Sequence, residues 1–140
     1  MINSRDINEL HPTLQPMCHR FIDDCKAEGI DIIITSTYRD YESQQWLYAQ
    51  GRTRPGHKVT NARPRESYHN FRLAFDFCPI VYGKCDWKNI ALFEKCGHIA
   101  EDNGLEWAGR WRRFPELAHC QLTNGITLNE LRAQEENHSL

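Results

Sequence analysis

No run of apolar residues in this chain approaches the roughly 20 that a membrane-spanning helix needs, so no membrane anchor is expected. The opening MINSRDINELHP has neither the basic start nor the apolar core of a secretory signal, and the chain is expected to be made and first kept in the cytoplasm. Cysteine occurs six times but never as CxxC. Without an export signal a disulfide framework is not expected, and the thiols read as small buried hydrophobes. Internal repeats and domain linkers are missing. Net charge is only -2, so any electrostatic preference must be local. Residues 52–65 hold five Lys or Arg and no acid. They lack the interleaved aromatics of a nucleic-acid surface, and no nucleic-acid partner is expected. The block reads as a solvated loop or an anion-binding strip.

A length of 140 residues suits one domain with its own core, ahead of a polar tail from about residue 134. A monomer is expected. Ser4 can cap a short helix through Leu10. The next helix starts near Pro12 and carries Leu14, Met17, Cys18, Phe21, Ile22 and Cys25 as one apolar stripe, ending at Gly29. DIIITST, residues 31–37, is β-branched and reads as a buried strand with Arg39 at its exit. Residues 41–50 read as a helix with Trp46, Leu47 and Ala49 on its apolar side. The polar, Gly- and Pro-bearing segment that follows can continue neither helix nor central strand, and it leads directly to His69. LAFDFCPIV, residues 73–81, is the second strong strand, with Asp76, Cys78 and Ile80 on one face. Asp86 is placed to cap a helix through about Asn103, GLEWAG and AHCQL suggest short strands, and Thr127 with Glu130 opens a last helix. The expected class is α+β, with helices packed on a small antiparallel sheet.

Two pairs of residues stand out. SYHNFRLAFDFCP, residues 67–79, sets His69 at a loop edge and Asp76 on the strand. An aspartate there needs a cation or donors. FPELAHCQL, residues 114–122, sets Glu116 three residues before His119, on one side of a single turn. Two imidazoles and one carboxylate are the three protein ligands of a catalytic zinc, and a second carboxylate is a base for the water it activates. With seven histidines and nineteen acids in the chain, the spacings alone do not separate such a site from coincidence.

The surrounding residues add to this. SYHNFRLAFD resembles the SxHxxGxAxD pattern of the LAS-type zinc peptidases, the group of D-Ala-D-Ala carboxypeptidases and dipeptidases and of phage L-alanyl-D-glutamate endopeptidases used as endolysins. ELAH is similar to the family's later ExxH. The segment TSTYRDYESQQWLYAQGRTRPGHKVTNA and the later GLEWAGRW resemble the stretches before its two zinc histidines. The resemblance spans residues 32–122 and implies a LAS/hedgehog-like fold, Zn2+ held by His69, Asp76 and His119, and Glu116 as the general base. It also implies Arg39 as the active-site arginine, with Ser36, Gln44 and Ser67 as supporting residues at the substrate. Trp107 and Trp111 either line the groove or belong to the core. The implied function is hydrolysis of the peptidoglycan stem peptide at L-Ala-D-Glu by a phage or prophage endolysin. Such an enzyme reaches the wall in the periplasm through a holin or another export route. D-Ala-D-Ala carboxypeptidase activity, or a non-catalytic wall-binding role, is the alternative. Three positions depart from the pattern: Arg72 stands where the motif has glycine, and Ala108 and Arg110 stand where the endolysins commonly show glycine and an acid.

Overall fold

The computed structural model describes residues 1–123 and 126–138. Strand β1 (Asp31–Ser36) pairs antiparallel with β2 (Ala74–Val81), and the register runs from Asp31 opposite Ile80 to Ser36 opposite Asp76. A bulge between Ile34 and Ser36 shifts the pairing by one residue just before the site, as bulges beside active sites commonly do. The short β3 (Lys84–Cys85) folds back on the far end of β2. β4 (Glu106–Trp107) and β5 (His119–Gln121) complete the order β1-β2-β5-β4, with His119 opposite Asp76. Asp76 therefore sits mid-sheet between Ser36 and His119.

Helix α1 (Leu14–Ala27) buries Leu14, Cys18, Phe21 and Cys25, the stripe expected from their spacing. Phe21 meets Phe75 and Phe77 with ring centroids 5.5 and 5.1 Å apart, and Phe77 meets Phe93 of α3 (Ile90–Asp102) at 5.5 Å. Each such ring taken out of water contributes on the order of 1.5–3 kcal/mol. Five cysteines lie inside and only Cys85 is exposed; all six are free thiols, as small hydrophobes would be.

Several boundaries move for local reasons. The first helix is a single 3₁₀ turn over Ile7–Glu9, capped by Asp6 rather than Ser4. α3 begins at Ile90 because Asn89 accepts from the Leu92 amide, while Asp86 accepts from the Asn89 side chain. α2 (Tyr41–Ala49) buries Ser43 and Gln44 instead of the expected apolar side, and Trp46 lies half-exposed under the Arg54 guanidinium. α4 (Leu128–His138) opens as expected, with Thr127 Oγ1 accepting from the Glu130 amide, and continues into the expected polar tail. The last two residues of that tail lie outside the described part.

Candidate metal centre

A 3₁₀ turn over Tyr68–Phe71 carries His69. Ser67 caps it by accepting from the His69 amide, and Arg72 ends it with φ +65°. The motif glycine thus corresponds to a left-handed backbone position, where a side chain is strained. Arg72 turns away from the site: Nη1 donates to Glu9 O and Oε2 at 2.8 and 2.6 Å, and the guanidinium stacks over Tyr38 at 3.9 Å. His119 arrives through a tight turn in which its amide donates to Glu116 O at 3.3 Å, which puts base and ligand on one turn as their spacing suggested.

The three expected ligands meet. His69 Nε2 is 3.1 Å from Asp76 Oδ1, His119 Nδ1 is 3.2 Å from the same oxygen, and the two nitrogens are 3.2 Å apart. The outer nitrogens fix both tautomers. His69 Nδ1 lies 2.8 Å from Thr37 O and His119 Nε2 lies 2.8 Å from Gln121 Oε1, both pure acceptors, so each outer nitrogen donates and each inner one offers a lone pair. Gln121 is held in turn by donating to Glu106 Oε2 at 2.7 Å. Two imidazole lone pairs and a carboxylate oxygen converging on one point form a donor set for a cation. A tetrahedral zinc with ligand bonds of about 2.0–2.1 Å separates its ligand atoms by roughly 3.3 Å, so the observed triangle fits the metal. The outer acceptors match the orienting partners that metal-bound histidines use.

Electrostatics divide the two histidines. Burial lowers the His69 pKa, with nearby Arg39 adding to the fall against the pull of Asp76. Burial also acts to lower that of His119, but the hydrogen bond and charge of Asp76 and the charge of Glu116 overcome it and the pKa rises. For Asp76 the upward push of burial is outweighed by the imidazoles, leaving the carboxyl well below its ordinary range. Glu116 is pushed up by burial, partly offset by His119 and Arg39, as suits a carboxylate that must accept a proton.

Arg39 stands beside the ligands. Nη1 donates to Gln44 Oε1 at 2.9 Å, Nη2 donates to Ser36 Oγ at 3.2 Å, and Nη2 lies 3.5 Å from Asp76 Oδ2. Its Nε–H is buried and without a partner among the described residues. A cavity of about 610 Å³ has the three ligands, Glu116, Arg39, Ser36, Ser67 and Trp111 in its wall. Two expectations are corrected here. Gln44 is fully buried and outside the wall, bridging Arg39 to Ala62 O; it positions the arginine rather than meeting a substrate. Trp107 is a core residue, only 4% exposed, donating to Leu117 O and wedged between Gly97 and Gly109, where an added Cβ would fall 2.1 Å from its ring. Trp111 lies in the wall instead, 5.5 Å from the His119 ring. Asn3, which accepts from Ser36, and Gln121 were missed. Gln121 carried one faint signal, its place two residues beyond His119 on the same strand face.

The basic strip is the mostly exposed loop expected, with Val59, Thr60, Asn61 and Ala62 in the cavity wall, and its arginines are engaged by the structure around them. Arg52 donates to Tyr48 O, Thr60 O and Asn61 Oδ1; Arg54 donates to Trp46 O; Arg63 bonds Tyr48 Oη; Arg65 pairs with Glu136 of α4.

The family model described as VanY, D-alanyl-D-alanine carboxypeptidase, matches residues 7–116. The chain is 35% identical over 130 residues to the peptidoglycan L-alanyl-D-glutamate endopeptidase CwlK of Bacillus subtilis strain 168, covering 82% of this chain and 74% of that one. Its fold matches that of the Serratia marcescens L-Ala D-Glu endopeptidase ChiX at TM-score 0.63, with 16% identity and 87% and 89% of the two chains covered. It also matches a Zn(II) complex of the vancomycin-resistance D,D-pentapeptidase VanY from a VanB-type cassette at TM-score 0.66, with 17% identity and 94% and 89% covered.

Proposed function

The chain belongs to the VanY D-alanyl-D-alanine carboxypeptidase family of LAS-type peptidases and is a peptidoglycan-acting peptidase; from that premise we propose that it is zinc-dependent and cuts the L-Ala-D-Glu bond of the stem peptide. The observation that carries this reading is the convergence of three lone-pair atoms beside Glu116 and Arg39 in one cavity. His69, Asp76 and His119 would hold the metal. When bound, zinc supplies a Lewis acid that polarises the amide carbonyl and acidifies water. Glu116 takes the proton of the attacking water and passes it to the departing amine nitrogen, its raised pKa suiting both tasks. Arg39, held by Gln44 and Ser36, offers its guanidinium to the carbonyl oxygen as negative charge builds there.

The choice of bond follows the relative CwlK, the more similar in sequence; D-Ala-D-Ala carboxypeptidase activity is the second reading, favoured by the family description. The non-catalytic alternative draws no support from Arg72, which bonds Glu9 away from the cavity. Biologically, the proposal is a phage or prophage endolysin, made in the cytoplasm and admitted to the wall by a holin or another export route. Mass spectrometry of muropeptides digested by the zinc-loaded protein tests the bond. Release of fragments beginning with D-Glu is expected, and loss of a single terminal D-Ala without internal cleavage would overturn the endopeptidase reading.

A further inference from the structure

Three arginines follow β4 at positions 110, 112 and 113, and the fold treats them differently. Arg110 pairs with Glu101. Arg112 is exposed and outside the cavity wall. Arg113 is exposed, belongs to the same wall as the three candidate ligands and Glu116, and makes no hydrogen bond or ion pair among the described residues. The other cation of the wall, Arg39, is engaged by Gln44, Ser36 and Asp76.

The backbone that presents Arg113 is held on both sides. Before it, Trp111 packs against the His119 ring and its Nε1 donates to Glu106. After it, Phe114 takes φ +49° and the Glu116 amide donates to Ala108 O at 3.1 Å. A guanidinium on such a base is a forked donor matched to a carboxylate.

Resting on the endopeptidase reading above, we propose that Arg113 is a specificity residue that binds the free carboxylate of the D-Glu residue on the departing side of the scissile bond. Glutamate has two carboxyl groups. Whichever of them carries the stem peptide onward, the other stays ionised within a few bonds of the amide being cut. Close to that amide the cavity wall already holds acids, Asp76 and Glu116, which repel such a group. A free cation three residues from the base is the compensating charge.

The test is a two-by-two comparison. One peptide is L-Ala-D-Glu-L-Lys joined onward through the side-chain carboxyl, and the other is the same peptide with its free carboxylate converted to carboxamide. Each is given to the zinc-loaded parent protein and to Arg113→Ala, with kcat/KM for cleavage as one readout. Affinity is the second readout, taken in zinc-loaded Glu116→Gln with and without Arg113→Ala. The parent is expected to prefer the carboxylate peptide about tenfold, the scale of a charge-assisted bond in a half-open cleft. Arg113→Ala abolishes the preference by losing the carboxylate peptide while leaving the amide peptide unchanged, Arg113→Lys restores part of it, and salt weakens it. A preference that survives Arg113→Ala, or equal losses on both peptides, overturns the proposal. Cleavage with a preference independent of Arg113 removes this inference and leaves the endopeptidase reading standing. An affinity preference that depends on Arg113, with neither peptide cut by the parent, removes the endopeptidase reading and leaves only the contact between Arg113 and the D-Glu carboxylate. No cleavage together with no affinity preference removes both.

Discussion

The segment leading into His69 ties its arginines to carbonyls and side chains around it, whereas the segment leading into His119 leaves Arg113 free at the cavity among the described residues. In the first, Arg52, Arg54 and Arg63 bond neighbouring carbonyls and Tyr48, and α4 is strapped on from outside by Arg132 Nε donating to Arg65 O at 2.6 Å and Tyr68 Oη donating to Ile126 O at 2.9 Å. The second is short and is fixed mainly by Trp107 in the core and by the turn at Glu116. Charge follows the same division. The two histidines share one carboxylate, yet burial and Arg39 hold His69 down while Asp76 and Glu116 lift His119 against the effect of burial. Similar positive charge in the sequence thus has two uses, building a scaffold in one place and facing the cavity in the other.

The largest test of this division lies at the centre. His69→Ala and His119→Ala are each expected to abolish zinc retention and activity together. Glu116→Gln is expected to keep near-stoichiometric zinc while turnover falls on the order of 10²–10⁴-fold, the usual contribution of a general base. Metal analysis beside turbidity loss of permeabilised Gram-negative cells reads both, and a Glu116→Gln protein with parental turnover would remove it as the base.

A smaller effect separates the loops. Arg52→Ala gives up bonds to two carbonyls and to Asn61 and is expected to lower stability by about 1 kcal/mol, while leaving any preference between the carboxylate and amide peptides intact. Urea unfolding measures the first, and peptide kinetics measure the second. An unchanged midpoint would mean that the strip is not a scaffold.

The smallest effect is in titration. In the metal-free protein the raised His119 pKa contributes stability that is fully present below the ordinary imidazole pKa and lost as pH rises through the raised value. Glu116→Gln removes one of the charges that raise it, so the His119 midpoint is expected to move down while that of His69 moves less. Imidazole NMR titration of the metal-free pair reads this, and an upward shift would contradict the assigned electrostatics.

Much of this architecture was legible from periodicity. The Leu14 to Cys25 stripe specifies α1 through apolar burial, and the β-branched run at residues 31–36 specifies a strand, although β1 lies at the sheet edge with Ile34 buried and Ile33 exposed, not as the buried strand expected. The ligand triad was legible only through the combined motifs, since neither spacing says that Asp76 and His119 face each other across a strand pair. What stayed hidden was set by tertiary partners. Trp107 became core because two glycines flank its ring, and α2 buried Gln44 because Arg39 needed an acceptor. The strip at residues 52–65 is the solvated loop expected, with Val59, Thr60, Asn61 and Ala62 in the cavity wall, but the local bonds of its arginines were hidden for a related reason: charge counts do not say where a guanidinium finds its carbonyl.

Arg72 bears on the chain before it folds as well as after. A glycine at φ +65° would relieve native strain, but it would also leave the unfolded chain freer where it must enter β2. The arginine keeps that ensemble narrower and, once folded, gains the Glu9 pair and the Tyr38 stack. Its strain is therefore opposed from both ends of the folding equilibrium, and the entry to β2 depends less on the backbone freedom of glycine than the motif alone implies.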